Sequence, residues 1–278
     1  MTLSSYSRVL ITGGSSGIGA ELARQLGRRG MSVLLVARHE QRLREQVELL
    51  RADAIEARYF ICDLLKISSR YDLCQKLRSE KIDLLINCAG FGKIGPFESI
   101  GIDDQLNMIE LNIKALVHLS HAFVSAHKET QSAGAILNIA STAAFQPLPL
   151  FATYAASKSF VREFSEALRL ECEGTGIRIA VASPGPTQSN FFENAGDGGA
   201  ISEKQMDVSK AVHLILEAFE KGQSDIIPGI MNRLQHTAVQ FFPRPLAAWV
   251  GGELVAGKKS QSVTSAQKIF HSFFSRKT

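Results

Sequence analysis

The feature that most constrains this chain is an alternation. Short, mostly apolar runs occur at Val9 to Ile11, Val33 to Ala37, Tyr59 to Ile61, Leu84 to Ile86, Ala135 to Ala140, Ile179 to Ser183 and Asp225 to Pro228. Longer, helix-patterned stretches lie between them: Gly17–Arg29, Glu40–Leu50, Ser69–Ser79, Ile102–Ala126, Tyr154–Glu173 and Val208–Phe219. A strand that is apolar on both faces needs cover on both faces, which is the condition of a parallel sheet. Repeated β-then-α units therefore predict an α/β fold: a doubly wound parallel sheet of about seven strands with helices on both faces.

Composition enters as exclusion. With 45% hydrophobic and 21% charged residues over 278 positions, the chain can bury a core and is no disordered polymer. Its net charge of +4 is too small to argue for nucleic acid. Cys62, Cys74, Cys88 and Cys172 form no CxxC pair, so they read as small buried hydrophobes in a reducing compartment, with no zinc site. Met1 to Arg8 lacks the basic start and apolar run of a signal peptide. No uninterrupted apolar run reaches the roughly 18 residues of a spanning helix. A cytoplasmic location follows as the expectation.

The first apolar run ends in Thr12-Gly13-Gly14-Ser15-Ser16-Gly17-Ile18-Gly19, where a helix pattern opens. Glycines there allow a tight turn and a close approach to a pyrophosphate, while the helix start offers free N–H groups and a positive dipole end. Nineteen residues after Gly19 the second run ends at Ala37-Arg38. An NAD enzyme carries an acid at this point for the ribose 2′-hydroxyl. A guanidinium instead suits the 2′-phosphate of NADP(H); read alone, Arg38 also fits a solvent-facing arginine at a helix start. Asp63, followed by Leu64, closes the third run and fits either an adenine contact or a plain helix cap.

Tyr154 and Lys158 stand four apart in a helical stretch, on one face. A nearby ammonium stabilises a phenolate and is expected to lower the tyrosine pKa. Ser141, at the end of the fifth run, offers a hydroxyl to hold a carbonyl oxygen while Tyr154 donates the proton.

Together these motifs resemble the short-chain dehydrogenase/reductase superfamily and its NADP-preferring subset. The resemblance is carried by Thr12 to Gly19, Asn87-Cys88-Ala89-Gly90, Asn112, Ser141, Tyr154 to Lys158, and Pro184-Gly185 with Thr187, over about residues 7–230. It implies a Rossmann sheet and a catalytic tetrad of Asn112, Ser141, Tyr154 and Lys158. In that tetrad Asn112 would hold a relay water and Lys158 would also bind the nicotinamide ribose. The implied cofactor set is Gly13, Ser15, Ser16, Gly17, Ile18, Gly19, Arg38, Asp63, Leu64, Asn87, Ala89, Gly90, Tyr154, Lys158, Pro184, Gly185 and Thr187. Thr187 would bind the carboxamide. Cys88 departs from the family's usual Asn. The implied reaction is metal-free hydride transfer between NADP(H) and a carbonyl or secondary alcohol, and reduction is the expected direction. The chain is also similar to bacterial reductases related to ketoacyl reductases and 17β-hydroxysteroid-type enzymes. A catalytically silent NADP(H)-binding regulatory or scaffold protein is the alternative from another class.

The loops expected on the substrate side carry Phe91, Phe97, Phe145, Pro147, Leu148, Leu150, Phe151, Phe191 and Phe192, with no arginine for a carboxylate. That set suggests a lipophilic carbonyl substrate; the same residues would equally cover one another in a core or an interface. Asn194 to Gly199 reads as a flexible lid hinge. His118, His121 and His127 share one helical stretch but lack an evident further metal ligand. The long helical stretches predict a homodimer or homotetramer, as in relatives. Residues 1–229 read as the dinucleotide-binding domain with its catalytic site, and 230–278 as an appendage of unread fold. Within it, Pro243 and Pro245 forbid an uninterrupted helix. The segment Phe241 to Trp249 is expected to wall an apolar cleft. The chain beyond Lys258 is expected to be mobile or interfacial, with weak membrane-surface contact as one option.

Overall fold

The computed structural model describes residues 3–196, 205–241 and 243–256. Among these, seven parallel strands form one sheet: β1 (Arg8–Thr12), β2 (Ser32–Ala37), β3 (Ala57–Ile61), β4 (Leu84–Asn87), β5 (Gly134–Ile139), β6 (Ile177–Ala182) and β7 (Asp225–Ile226). Their order is β3-β2-β1-β4-β5-β6-β7, so the winding reverses between β1 and β4. Ligands of such sheets bind at the carboxyl ends of the strands beside that reversal.

Successive strand side chains point to opposite faces, and both faces here are covered. Val9, Ile11, Leu35, Ile86 and Leu137 pack in one layer with α1 (Gly17–Gly27), α2 (Glu40–Ala52) and α8 (Val208–Glu220). Leu10, Leu34, Leu85, Ile136 and Ile179 pack in the other with α3 (Ile67–Ser79) and α5 (Leu116–Thr130). Each fully buried leucine of this kind contributes about 1.5–3 kcal/mol. The unbroken apolar runs are thus the cause of the two-sided helix cover.

The stretch expected to be one helix from Ile102 to Ala126 is built in three parts. α4 (Ile102–Ile109) passes into a π-helical turn at Glu110–Ala115 and then into α5. The wide turn lets two neighbours reach opposite ways. Glu110 accepts from the buried Arg70 guanidinium of α3 at 2.6 Å, and Asn112 turns in toward the strand ends. Turns of this type concentrate at functional sites.

After α6 (Ala152–Glu171), β6 and α7 (Phe191–Ala195), the chain closes with α9 (Ile230–Phe241) and α10 (Arg244–Ala256). Pro243 separates these last two helices, and its carbonyl accepts from Leu246 and Ala247 as α10 starts. α10 lies tightly on the loop before α6: a Cβ added at Gly251 would stand 2.6 Å from Leu148 Cδ2. Val255 joins Met108, Leu148, Phe151 and Tyr154 in a small separate core. The readings made for residues 197–199 and for the chain from 257 onward lie outside the described residues.

Candidate active site

A cleft of roughly 2050 Å³ runs along the carboxyl ends of the strands. Its first end is built from backbone. Gly13 takes φ +68°, and a Cβ there would stand 2.9 Å from Ala89 Cα, so the β1 and β4 loops touch main chain to main chain. Thr12 staples them: its hydroxyl oxygen accepts from Cys88 N at 3.0 Å and Ala89 N at 3.1 Å. A Cβ on Gly19 would lie 2.4 Å from the Gly13 carbonyl oxygen, which is why the first turn of α1 can lie against the glycine loop. Gly13, Ser15, Ser16, Gly17, Ile18 and Gly19 all line this end. A cradle of glycine backbone at a helix N-terminus has the shape and polarity for a pyrophosphate.

Beyond it, Arg38 and Arg42 line the same end. Arg38 Nε donates to His39 Nε2 at 3.1 Å. Arg42 was missed in the sequence, although its place four residues after Arg38 was the available signal. Asp63 and Leu64 also line the cleft, and Asp63 accepts from Leu65 N at 3.2 Å. Its carboxylate thus orders its own loop as well as facing the cleft.

Asn87 does not join them. Its side chain points into the core, where Nδ2 donates to Asn138 Oδ1 at 2.9 Å and to Ser120 Oγ at 3.2 Å. Asn138 Nδ2 donates onward to Ser165 Oγ at 2.8 Å. This buried network ties β4, β5, α5 and α6 together. Ala89 and Gly90 do line the cleft.

At mid-cleft, Ser141, Tyr154 and Lys158 converge. Ser141 leaves β5, and its hydroxyl caps the short turn Thr142–Phe145 by accepting from Ala143 N at 3.1 Å. Ser159 Oγ donates to Ala144 O at 2.7 Å, holding that turn to α6. Lys158 Nζ donates to Ile139 O at 2.9 Å and lies 5.8 Å from the centre of the Tyr154 ring. Asn112 is buried one layer behind: Oδ1 accepts from Phe91 N at 3.1 Å, and Nδ2 donates to Phe91 O and to Ser157 Oγ, both at 3.0 Å. A Cβ on Gly90 would stand 3.0 Å from Asn112 Oδ1 and 3.3 Å from Lys158 Nζ, so this glycine keeps the space between them open.

The expected lowering of the Tyr154 pKa by Lys158 is corrected here. Burial pushes the phenol up to about 12, against a hydrogen bond from Ser141 that lowers it. Burial also pulls the Lys158 ammonium down to about 8. Desolvation penalises the charged form of both groups and is the largest cause of both shifts. The reading of all four cysteines as inert core is corrected in part. Cys88 lines the cleft and shifts with Lys158, although burial holds its thiol up at about 11.

The other end of the cleft is built from side chains. Phe151 stacks on Tyr154 with ring centres 4.3 Å apart, and Phe191 tilts against Tyr154 at 5.2 Å. Phe91, Phe145, Leu148 and Phe192 extend this lining, while Phe97, Pro147 and Leu150 do not reach it. Lys93, a cation passed over in the sequence, stands at the rim, with Nζ donating to Asn194 O at 3.1 Å. Pro184, Gly185 and Thr187 form the floor, with Thr187 Oγ1 donating to Gly185 O at 2.9 Å. α9 and α10 close the side through Met231, Asn232, His236, Leu246, Val250 and Leu254. No group of three or more His, Cys, Asp or Glu among the described residues is placed to hold a metal.

A doubly wound sheet with a glycine cradle at its reversal and a Ser-Tyr-Lys cluster at its strand ends defines a dinucleotide-dependent oxidoreductase. Comparison with known proteins makes the class specific. The family model for short chain dehydrogenase matches residues 7–199. The putative ketoacyl reductase of Streptomyces coelicolor is 34% identical over 203 residues, covering 70% of this chain and 78% of that protein. Sulfoacetaldehyde reductase 2 of Chromohalobacter salexigens is 33% identical over 197 residues, covering 69% and 78%. Among solved structures, a short-chain dehydrogenase from Sphingobium yanoikuyae in complex with NADPH superposes with a TM-score of 0.76 at 29% identity, covering 86% of this chain and 97% of that one. The chain belongs to the short-chain dehydrogenase family. It is an oxidoreductase of CH–OH and C=O groups that works with a nicotinamide cofactor.

Proposed function

We propose that this enzyme is an NADP(H)-dependent reductase of a lipophilic ketone. The observation that carries the reading is the division of one cleft. A backbone cradle with Arg38 and Arg42 lies at one end, an aromatic lining lies at the other, and Ser141, Tyr154 and Lys158 stand between them. The cradle suits a dinucleotide because a side chain at Gly13 would collide with the Ala89 backbone. In this reading Gly13, Ser15, Ser16, Gly17, Ile18 and Gly19 hold the pyrophosphate, and Arg38 with Arg42 holds the 2′-phosphate. Asp63 and Leu64 border the adenine, and Ala89, Gly90, Pro184, Gly185 and Thr187 seat the nicotinamide half.

When bound, the cofactor supplies hydride. The chain does the rest. Ser141 holds the carbonyl oxygen by its hydroxyl, and Tyr154 donates the proton to it. A phenol held neutral by burial is in the proton-donating form throughout the physiological range. The Lys158 ammonium, positioned by Ile139 O, stabilises the phenolate left behind. Asn112 positions the loop at Phe91 on which the aromatic end is built, in addition to any part in a proton relay. The aromatic lining excludes water from the proton transfer. Met231, Asn232 and His236 of α9 and Leu246, Val250 and Leu254 of α10 belong to this site in the same reading, since they wall its substrate end. Exposed Ile102 and Leu106 on α4, with Phe160 and Leu170 on α6, supply an apolar face for a homo-oligomer.

The relatives' names span a ketoacyl and a sulfoacetaldehyde substrate, so the apolar preference rests on the aromatic lining of this chain. The test is NADPH oxidation across a panel of ketones graded from small and polar to bulky and aromatic. The reading expects kcat/KM to rise with apolar size and NADPH to outperform NADH. Cofactor binding with no turnover on any ketone would move a silent binding protein ahead.

A further inference from the structure

α9 carries apolar side chains on two sides, one against the cleft and one in solvent. A helix on the surface of a protein in water turns its apolar stripe inward. On α9 the inward side carries Asn232, His236 and the half-buried Val239, which lines the cleft. Asn232 Nδ2 donates to Pro228 O at 2.7 Å, its amide lies against Gly185, and the His236 ring packs on Phe145 with centres 4.0 Å apart. The outward side carries Ile230, Leu234 and Phe241, which are 77%, 59% and 83% exposed. Their spacing of four and eleven residues aligns them along one stripe. Met231 beside them is 68% exposed and also lines the cleft. Val250 and Leu254 of α10, exposed as well, line the same mouth. The apolar stripe therefore runs from open solvent to the entrance of the substrate end.

The sequence beyond α10 says what this face meets. Residues 257–278 carry Lys258, Lys259, Lys268, Arg276 and Lys277 and no Asp or Glu, with Ile269, Phe270, Phe273 and Phe274 among them. Cations interleaved with aromatics, in a stretch without acidic residues, match a surface that is anionic outside and apolar just beneath. A second copy of this chain is a poorer match, because a two-fold contact brings the same positive charge against itself. We propose that the α9 stripe and this basic, aromatic stretch dock the chain on an anionic phospholipid bilayer, and that a membrane-dissolved ketone enters past Met231, Val250 and Leu254. The entry step rests on the reductase reading above; the docking does not.

Flotation of the full chain with phosphatidylcholine vesicles, with and without phosphatidylglycerol, tests this. Binding is expected only with the anionic vesicles and should weaken in high salt. The double variant Leu234→Glu/Phe241→Glu should lower the bound fraction by about tenfold, a factor worth 1.4 kcal/mol. Circular dichroism should show an intact fold, and turnover of a water-soluble ketone should be unchanged, since neither residue lines the cleft. Absence of flotation with both vesicle types overturns the docking, as does flotation that the double variant leaves intact. A lipid-free dimer that the double variant dissolves, with no vesicle binding, assigns the face to a second copy. A chain that floats but reduces no ketone removes the reductase reading and leaves docking standing. A chain that reduces soluble ketones but never floats does the reverse.

Discussion

The two ends of the cleft are made in different ways. The glycine end is main chain: Gly13 lies against Ala89, and Gly19 against Gly13, with no room for a Cβ on either glycine, and Thr12 stitches the loops by two hydrogen bonds. The other end is side chain: Phe151 and Phe191 pack ring to ring on Tyr154, and residues of α9 and α10 line the cleft beside them. A backbone cradle is set by glycine positions and tolerates little. A side-chain wall is reset by any substitution that keeps its volume. On the reading proposed above, one end would hold a single cofactor while the other could change substrates without disturbing the sheet.

Substitutions can break that contrast or sharpen it. The largest effect is expected at the boundary. Tyr154→Phe should lower kcat by about 10³-fold, within the range for a lost general acid, while NADPH affinity measured by fluorescence stays near wild type. Wild-type turnover in this variant would remove Tyr154 from the chemistry. Next comes the cofactor end. Arg38→Asp should shift the NADPH-to-NADH ratio of kcat/KM by about 10²-fold, the loss of two charge-assisted bonds. An unchanged ratio would make Arg38 a surface residue and leave Arg42 to be tested. At the substrate end, Phe191→Ala should raise KM for bulky ketones by about tenfold and leave KM for NADPH alone. An equal rise in both would mean that the two ends are not independent.

The smallest effect is in stability. The Lys158 pKa falls from 10.5 unfolded to about 8 folded. Below pH 8 both states hold the proton, and the cost of burying the charge is present in full. Between pH 8 and 10.5 the unfolded chain holds more protons, so stability rises with pH. Wild type should gain Tm relative to Lys158→Met across that window, by a few degrees in scanning calorimetry. A difference that stays flat with pH would place the Lys158 charge in a better-solvated site. Turnover in Lys158→Met should be lost at every pH.

Most of the cofactor end was legible in the sequence, because backbone geometry leaves glycine as its trace. Thr12 to Gly19, Arg38 and Asp63 could be placed from glycine positions and strand spacing, while Ala89 and Gly90 came from the family resemblance. The orientation of the Asn87 side chain was not legible in the sequence for a physical reason. Asn87 lies in the strand, one residue before the loop, and strand alternation sends its side chain into the core. The π turn was invisible because the contacts it serves, the Arg70–Glu110 pair and the Asn112–Phe91 bonds, join residues far apart in the chain. The raised Tyr154 pKa was missed because the sequence gives the neighbour at i+4 but not the depth of burial. The last two helices lacked a readable pattern because α9 is apolar on two sides, so no single stripe stands out.

The Asn87–Asn138 bond has a consequence for distances elsewhere. These residues are direct register partners in parallel strands β4 and β5. A slip of two residues would keep every side chain on its own face but set Asn87 against Ile136. It would also displace the β5 end, and Ser141 with it, by about 6.6 Å relative to the loop at Ala89 and Gly90. An unmatched buried amide costs about 1–3 kcal/mol, enough to suppress that alternative by at least several-fold. The amide pair thus acts as an origin of coordinates for both loops, fixing where each begins before any ligand is present.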